Sequence, residues 1–156
     1  MPELSESILF RQFVANTHRV GVFQVSAKEV EEALDSINNP QELGEASLRH
    51  MQIIAQRLEG KPSSSATERG MIIREVLREA FERLRPGNVR SDAASEWLCY
   101  NVLYYRYFKH HNITNEQIAA RLGLGSPRQF YRERPKAIEA LLNVLLEMER
   151  SVTVSS

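Results

Sequence analysis

The chain has 156 residues, enough for one ordinary domain or two small ones sharing a core, so neither disulfides nor metals are required for folding. Lys plus Arg and Asp plus Glu both number 20, with 42% hydrophobic and 26% charged residues. This is the composition of a soluble globular protein and excludes collagen, bulk disorder and a membrane protein.

The single Cys99, inside the apolar run Trp97-Leu98-Cys99-Tyr100, excludes a disulfide framework and a Cys-based zinc site within one chain, and reads as a small core residue. Met1 to Phe10 carry two acids and no base, so no signal peptide is expected. No apolar stretch approaches the roughly 18–20 residues that span a bilayer. A reducing cytoplasm is the expected compartment, with no membrane partner.

Residues 5–17 are a weakly patterned first helix, and Val20 to Val25 could be a strand, an extended arm or a loop. Ser26-Ala27-Lys28-Glu29 has the form of a capping box, and Val30, Ala33, Leu34 and Ile37 follow on one helix face. A helix over about 27–38 is expected, stopped by Asn38-Asn39-Pro40. Leu48, Met51, Ile54, Ala55 and Leu58 predict another behind Ser47, ended by Gly60-Lys61-Pro62. Residues 60–66 read as a loop or hinge, which divides the chain into an N-terminal helical subdomain, 1–62, and a helical core, 63–156.

Ser65-x-x-Glu68 is a second capping box, opening a long helix over about 66–85 whose stripe is Ile72, Ile73, Val76, Leu77, Ala80, Phe81 and Leu84. From Ala93 to His110 the aromatics Trp97, Tyr100, Tyr104, Tyr105, Tyr107 and Phe108 crowd one segment. It starts Ser91-Asp92-Ala93-Ala94 like a helix, and its aromatics read as core rather than as a stacking platform for single-stranded nucleic acid.

Residues 113–142 carry the functional reading. Thr114 and Gln117 form a Thr-x-x-Gln cap, Ile118 and Leu122 an apolar pair, and Ala119 is small where a second helix would cross. Gly123 supplies a left-handed helix end, Ser126 an N-cap, and Pro127 a first helical residue whose missing N–H costs nothing. Two short helices joined by such a turn make a helix-turn-helix, whose second helix enters the DNA major groove.

With its Thr114-x-x-x-Ile118-Ala119-x-x-Leu122-Gly123-Leu124 half, the stretch resembles the promoter-reading helix-turn-helix of sigma factors and related small bacterial regulators. Residues from about Ala33 to Leu146 resemble the N-terminal helical domains of large multidomain bacterial regulators, placed ahead of signalling ATPase or repeat modules. The resemblance rests on Leu84-Arg85-Pro86, the Tyr104–Tyr107 run and Gln129-Phe130-Tyr131-Arg132-Glu133. It implies an all-α fold, a multi-helix orthogonal bundle of five to seven helices, with the helix-turn-helix at about 113–134.

Two features depart from the family pattern. The turn is one residue longer than Gly-x-Ser, and Pro135 removes a backbone bond and crowds the carbonyl of Tyr131. A kink or break near 134 is therefore expected, leaving a recognition helix of about 126–134 and a separate apolar helix of 136–151.

On that recognition helix Phe130, Ala137 and Leu141 should face the core, while Arg128, Arg132 and Lys136, with Gln129 beside them, should face DNA. Arg128, Gln129 and Arg132 are the expected base readers. Lys109, His110, Thr114, Arg121 and Arg134 are candidates for phosphate contacts, with Ser126 at the helix start. The balanced total charge hides a segment, 99–138, with seven bases against two acids, flanked by acidic stretches.

His110-His111 are a poor metal pair and more simply satisfy a helix end. No phosphate loop, His-Glu-x-x-His or Gly-x-Ser-x-Gly motif is present, so no enzyme, cofactor or metal is expected. Ile138, Leu141, Leu142, Val144, Leu145, Leu146 and Met148 are either wrapped by the N-terminal helices or form a homodimer seam. The tail Ser151–Ser156 carries no helical pattern. The expected function is a non-catalytic, DNA-binding transcriptional regulator; the alternative is a helical protein-interaction or assembly module of a larger bacterial signalling system that does not bind DNA.

Overall fold

The computed structural model describes residues 24–59, 65–109 and 112–155. The first helix expected over 5–17, most of the 20–25 segment, most of the 60–66 loop and His110-His111 lie outside them. The described residues are helical, with no strand among them. Seven α-helices are found there: α1 (Ala27–Asp35), α2 (Pro40–Leu43), α3 (Gln52–Arg57), α4 (Ala66–Glu82), α5 (Leu98–Leu103), α6 (Asn115–Arg121) and α7 (Pro127–Ser155). No helix among these residues is long and apolar enough to cross a membrane.

Local caps form where the sequence places them. The Ser26 amide donates to Glu29 Oε1 at 2.8 Å, and at the start of α4 Ser65 and Glu68 exchange bonds of 3.1 and 3.0 Å. Each satisfies amides that the first helical turn leaves without partners.

One cluster of buried side chains runs from Val25 to Met148, drawing on both sides of the 62/63 division. α7 is its axis. Phe130, Ala137, Leu141 and Leu145 are fully buried along it, and α1, α3, α4, α5 and α6 all pack on it. Its inward face is thus covered within the chain, while Val144, Leu146 and Val152 are half-buried.

The expected break at Pro135 does not occur. α7 is one 29-residue helix with Pro135 inside it. The stripe of Phe130, Ala137 and Leu141 keeps its phase across the proline, which is itself exposed, so burial on both sides outweighs the ~3 kcal/mol a helical proline costs. Nor does the helix stop before Ser151. Val152 packs on the core, and the Thr153 hydroxyl donates back to the Glu149 and Arg150 carbonyls at 3.2 and 3.0 Å.

The helix expected behind Ser47 is split instead. Ser47–His50 form a 3-10 turn, Met51 is extended at φ −69° and ψ 144°, and α3 begins at Gln52. The cause is distant in sequence: the Glu149 carboxylate of α7 accepts from the amides of Gln52 and Ile53 at 2.8 and 2.9 Å. A capping carboxylate meets both the free amides and the positive end of the helix dipole. Glu149→Ala is expected to lower stability by ~1–2 kcal/mol in urea unfolding, and Glu149→Gln by less. Unchanged stability in both would show that this cap contributes nothing.

The aromatic segment also departs from a plain helix. Ser91 does not open it, because its hydroxyl oxygen accepts from the Ala93 and Ala94 amides at 3.2 Å each and holds a turn. Helical structure starts at Ser95, and Tyr104–Phe108 wind as a π-helix, with the Lys109 amide donating five residues back to Tyr104 at 2.7 Å. The wider turn lets Tyr105, Tyr107 and Phe108 all be buried. Phe81 of α4 stacks on Tyr100 and Phe108, with ring centroids 4.3 and 4.1 Å apart, so these aromatics are core. Cys99 is half-buried there, and burial holds its thiol above the usual range.

Candidate nucleic-acid interface

The segment from 113 begins with a reciprocal cap. The Thr114 amide donates to Gln117 Oε1 at 2.9 Å and the Gln117 amide to Thr114 Oγ1 at 3.1 Å. Thr114 is therefore engaged in starting α6. At the other end Gly123 has φ +69°, the Leu124 amide donates to the Ala119 carbonyl at 2.8 Å, and the Gly123 amide to Ala120 at 3.2 Å. This pair of bonds is the left-handed helix stop that favours glycine.

Leu124, Gly125 and Ser126 then lead into α7 at Pro127. Ile118, Ala119, Leu122 and Phe130 are buried between the two helices, which fixes the start of α7 against α6. The extra turn residue has a specific anchor. Gln129 folds back so that its Oε1 accepts the Gly125 amide at 2.7 Å, while its own amide donates to the Ser126 carbonyl at 3.0 Å. Gln129 is exposed, but its carbonyl oxygen already serves the turn, leaving the amide nitrogen as its donor toward an outside partner.

Arg128 and Arg132 are exposed one turn apart, and neither has an ion pair or hydrogen bond among the described residues. Lys136, one turn further on and 67% exposed at its side chain, stands 3.5 Å from Glu133. Tyr131 lies between the two arginines in sequence and is 55% exposed, its hydroxyl accepting from Asn115 Nδ2 at 3.3 Å. Sequence reasoning missed it as a surface residue. The signal was present, since a period that turns Phe130 inward places its neighbour outside.

Lys109 and Arg121 form a second group. Both cations lie over the Tyr105 ring, 5.1 and 5.6 Å from its centroid, and they flank a shallow groove of about 410 Å³ with Asn112, Ile113 and Gln117. The ring beneath them is fixed by its hydroxyl, which donates to both Asp92 oxygens at 2.9 and 3.0 Å, and by Arg90, 5.3 Å from the ring centroid. Burial pushes the Asp92 carboxyl up, but the hydrogen bonds from Arg90 and Tyr105 outweigh it and hold that group below its usual range.

Arg134 belongs to neither group. It turns inward to α1, where its Nη2 donates to Glu31 at 2.7 Å. Among the described residues no group of three His, Cys, Asp or Glu is placed to hold a metal. What the arrangement offers chemically is a pair of guanidinium groups without partners among the described residues, at the start of a long helix and beside an exposed phenol. Comparison with known protein families, with characterised proteins and with solved structures finds no match for this chain.

Proposed function

We propose that the chain is a non-catalytic DNA-binding transcriptional regulator of the bacterial, sigma-factor-like kind, in which α6 and α7 act as a helix-turn-helix on an orthogonal helical bundle. The observation that carries the reading is the pair Arg128 and Arg132, exposed one turn apart in the first turns of α7 and without acidic partners among the described residues. An arginine there can fork onto guanine O6 and N7 or onto phosphate. Lys109, Arg121 and Lys136 supply backbone contacts, which position without specifying. Thr114, Ser126 and Gln129 hold the turn rather than read bases, although the Gln129 amide nitrogen can still donate.

A titration of duplex DNA by fluorescence polarisation at two salt concentrations tests the reading. With four to six phosphate contacts, affinity should fall about 150- to 2,000-fold between roughly 50 and 200 mM salt, because each contact releases condensed counterion. Undetectable binding at low salt and micromolar protein would favour the helical assembly module instead. The engaged Gln129 and the inward-turned Arg134 are the observations on that side.

A further inference from the structure

A polar pocket of about 310 Å³ opens where α1, the π-helical segment, α6 and α7 meet, near the lower end of the size range of small-ligand sites. Its polar lining is Asp35, Asn38, Arg106, Tyr107, Asn115 and Arg134, and Leu34 and Ile37 add an apolar wall. Three of these groups are incompletely matched inside the chain.

Tyr107 is 7% exposed, and its hydroxyl is fully buried with no hydrogen-bond partner among the described residues. A buried polar group left that way costs free energy, and native structures almost always satisfy it with protein, water or ligand. Burial pushes its pKa up to about 12, with smaller and opposing effects from the charges of Arg134, Asp35, Glu31 and Arg106. It is therefore a neutral donor.

Arg106 is held by neutral acceptors only, Asn115 Oδ1 and, at 2.8 Å, the Ile113 carbonyl. Among the described residues its charge has no carboxylate in contact, and three of its five N–H groups remain to donate. Asp35 also lines the pocket and has no hydrogen bond or ion pair among the described residues; burial and then Glu31 raise its carboxyl, while the charges of Arg134 and Arg106 act the other way. Arg134 is already matched by Glu31.

With Arg134 paired to Glu31, which stands outside the lining, the lining keeps one further cation, Arg106, and one carboxylate, Asp35, that make no ion pair with each other. A lone anion would meet Asp35 and Glu31, and a lone cation would meet both arginines. A ligand with both charges meets neither repulsion.

We propose that this pocket binds a free amino acid as a zwitterion, its carboxylate at Arg106 and its ammonium at Asp35. The proposal is independent of the DNA-binding reading, and its test contains no DNA.

The full chain is titrated with glycine, L-alanine and L-glutamine, each to about 10 mM, with acetate and methylammonium as probes carrying one charge each. Amide and side-chain NMR shifts are read together with thermal melting. At least one amino acid should give a saturable response centred on Asp35, Arg106 and Tyr107 and raise Tm, with acetate and methylammonium at least about tenfold weaker.

Asp35→Asn, an exposed position, should lower amino-acid affinity about tenfold or more while acetate, relieved of that repulsion, binds at least as tightly as before. Silence from all three amino acids, acetate binding as tightly as the best of them, or full affinity in Asp35→Asn would each overturn the proposal.

Discussion

Gly70→Ala is expected to be among the most damaging single-atom changes available in this chain. A Cβ built at Gly70 would lie 1.8 Å from the carbonyl oxygen of Pro40, and one at Gly44 would lie 1.8 Å from the carbonyl oxygen of Ala66. The two glycines therefore let α2 and the start of α4 cross backbone to backbone. The obstacle in each case is main chain, which cannot rotate aside as a side chain would, so the helices must separate and Ile73, Leu43 and Leu48 lose contact with their surroundings. A loss of about 3 kcal/mol or more is expected, at or above the upper end for overpacked cores, or a fall in Tm of about 6–12 °C. Intrinsic helix propensity pushes the other way, since alanine is favoured over glycine by ~1 kcal/mol within a helix. Sterics at 1.8 Å decide the sign. Gly87→Ala, with nothing within 4 Å of its Cβ position, is the matched control and should be nearly neutral. Equal melting of the two variants would refute the close crossing.

The second large effect separates three arginines within seven positions of one helix. Arg132→Ala should weaken DNA binding by ~1–3 kcal/mol if it contacts a base, about 5- to 150-fold, without changing stability, because its side chain is exposed and has no partner among the described residues. Arg128→Ala should behave alike. Arg134→Ala should do the reverse, leaving DNA affinity within about twofold and removing the pair with Glu31. Both members of that pair are about a third exposed, at 32% and 39%, so solvent screening limits the loss of stability to ~1 kcal/mol or less. Polarisation titrations beside urea unfolding read both axes. Should Arg134→Ala weaken binding more than Arg132→Ala, the assignment of the reading face is wrong.

What could be read from the sequence was local. The capping boxes at Ser26, Ser65 and Thr114 and the left-handed stop at Gly123 are each completed within a few residues, so neighbouring side chains suffice to specify them. The inward phase of Phe130, Ala137 and Leu141 was legible for the same reason. Misread features have causes elsewhere in the chain. Met51 is extended because Glu149, 97 positions from Gln52, caps α3, and no pattern near Met51 announces that. Pro135 was given its intrinsic cost but not the buried stripe that offsets it. Arg134 falls in the same basic run as Arg132, and only the placement of Glu31 on α1 separates them. For Gly70, the sequence shows a helix-weakening residue inside a long helix; the reason lies in Pro40.

Unbroken passage through Pro135 makes α7 a lever. At 1.5 Å per residue its 29 residues extend about 43 Å, and about 33 Å of that separates Pro127, next to Arg128, from Glu149, which holds the first amides of α3. The two ends are thereby joined by one continuous helix, whose bending is least resisted at the proline, where one hydrogen bond of the ladder is absent.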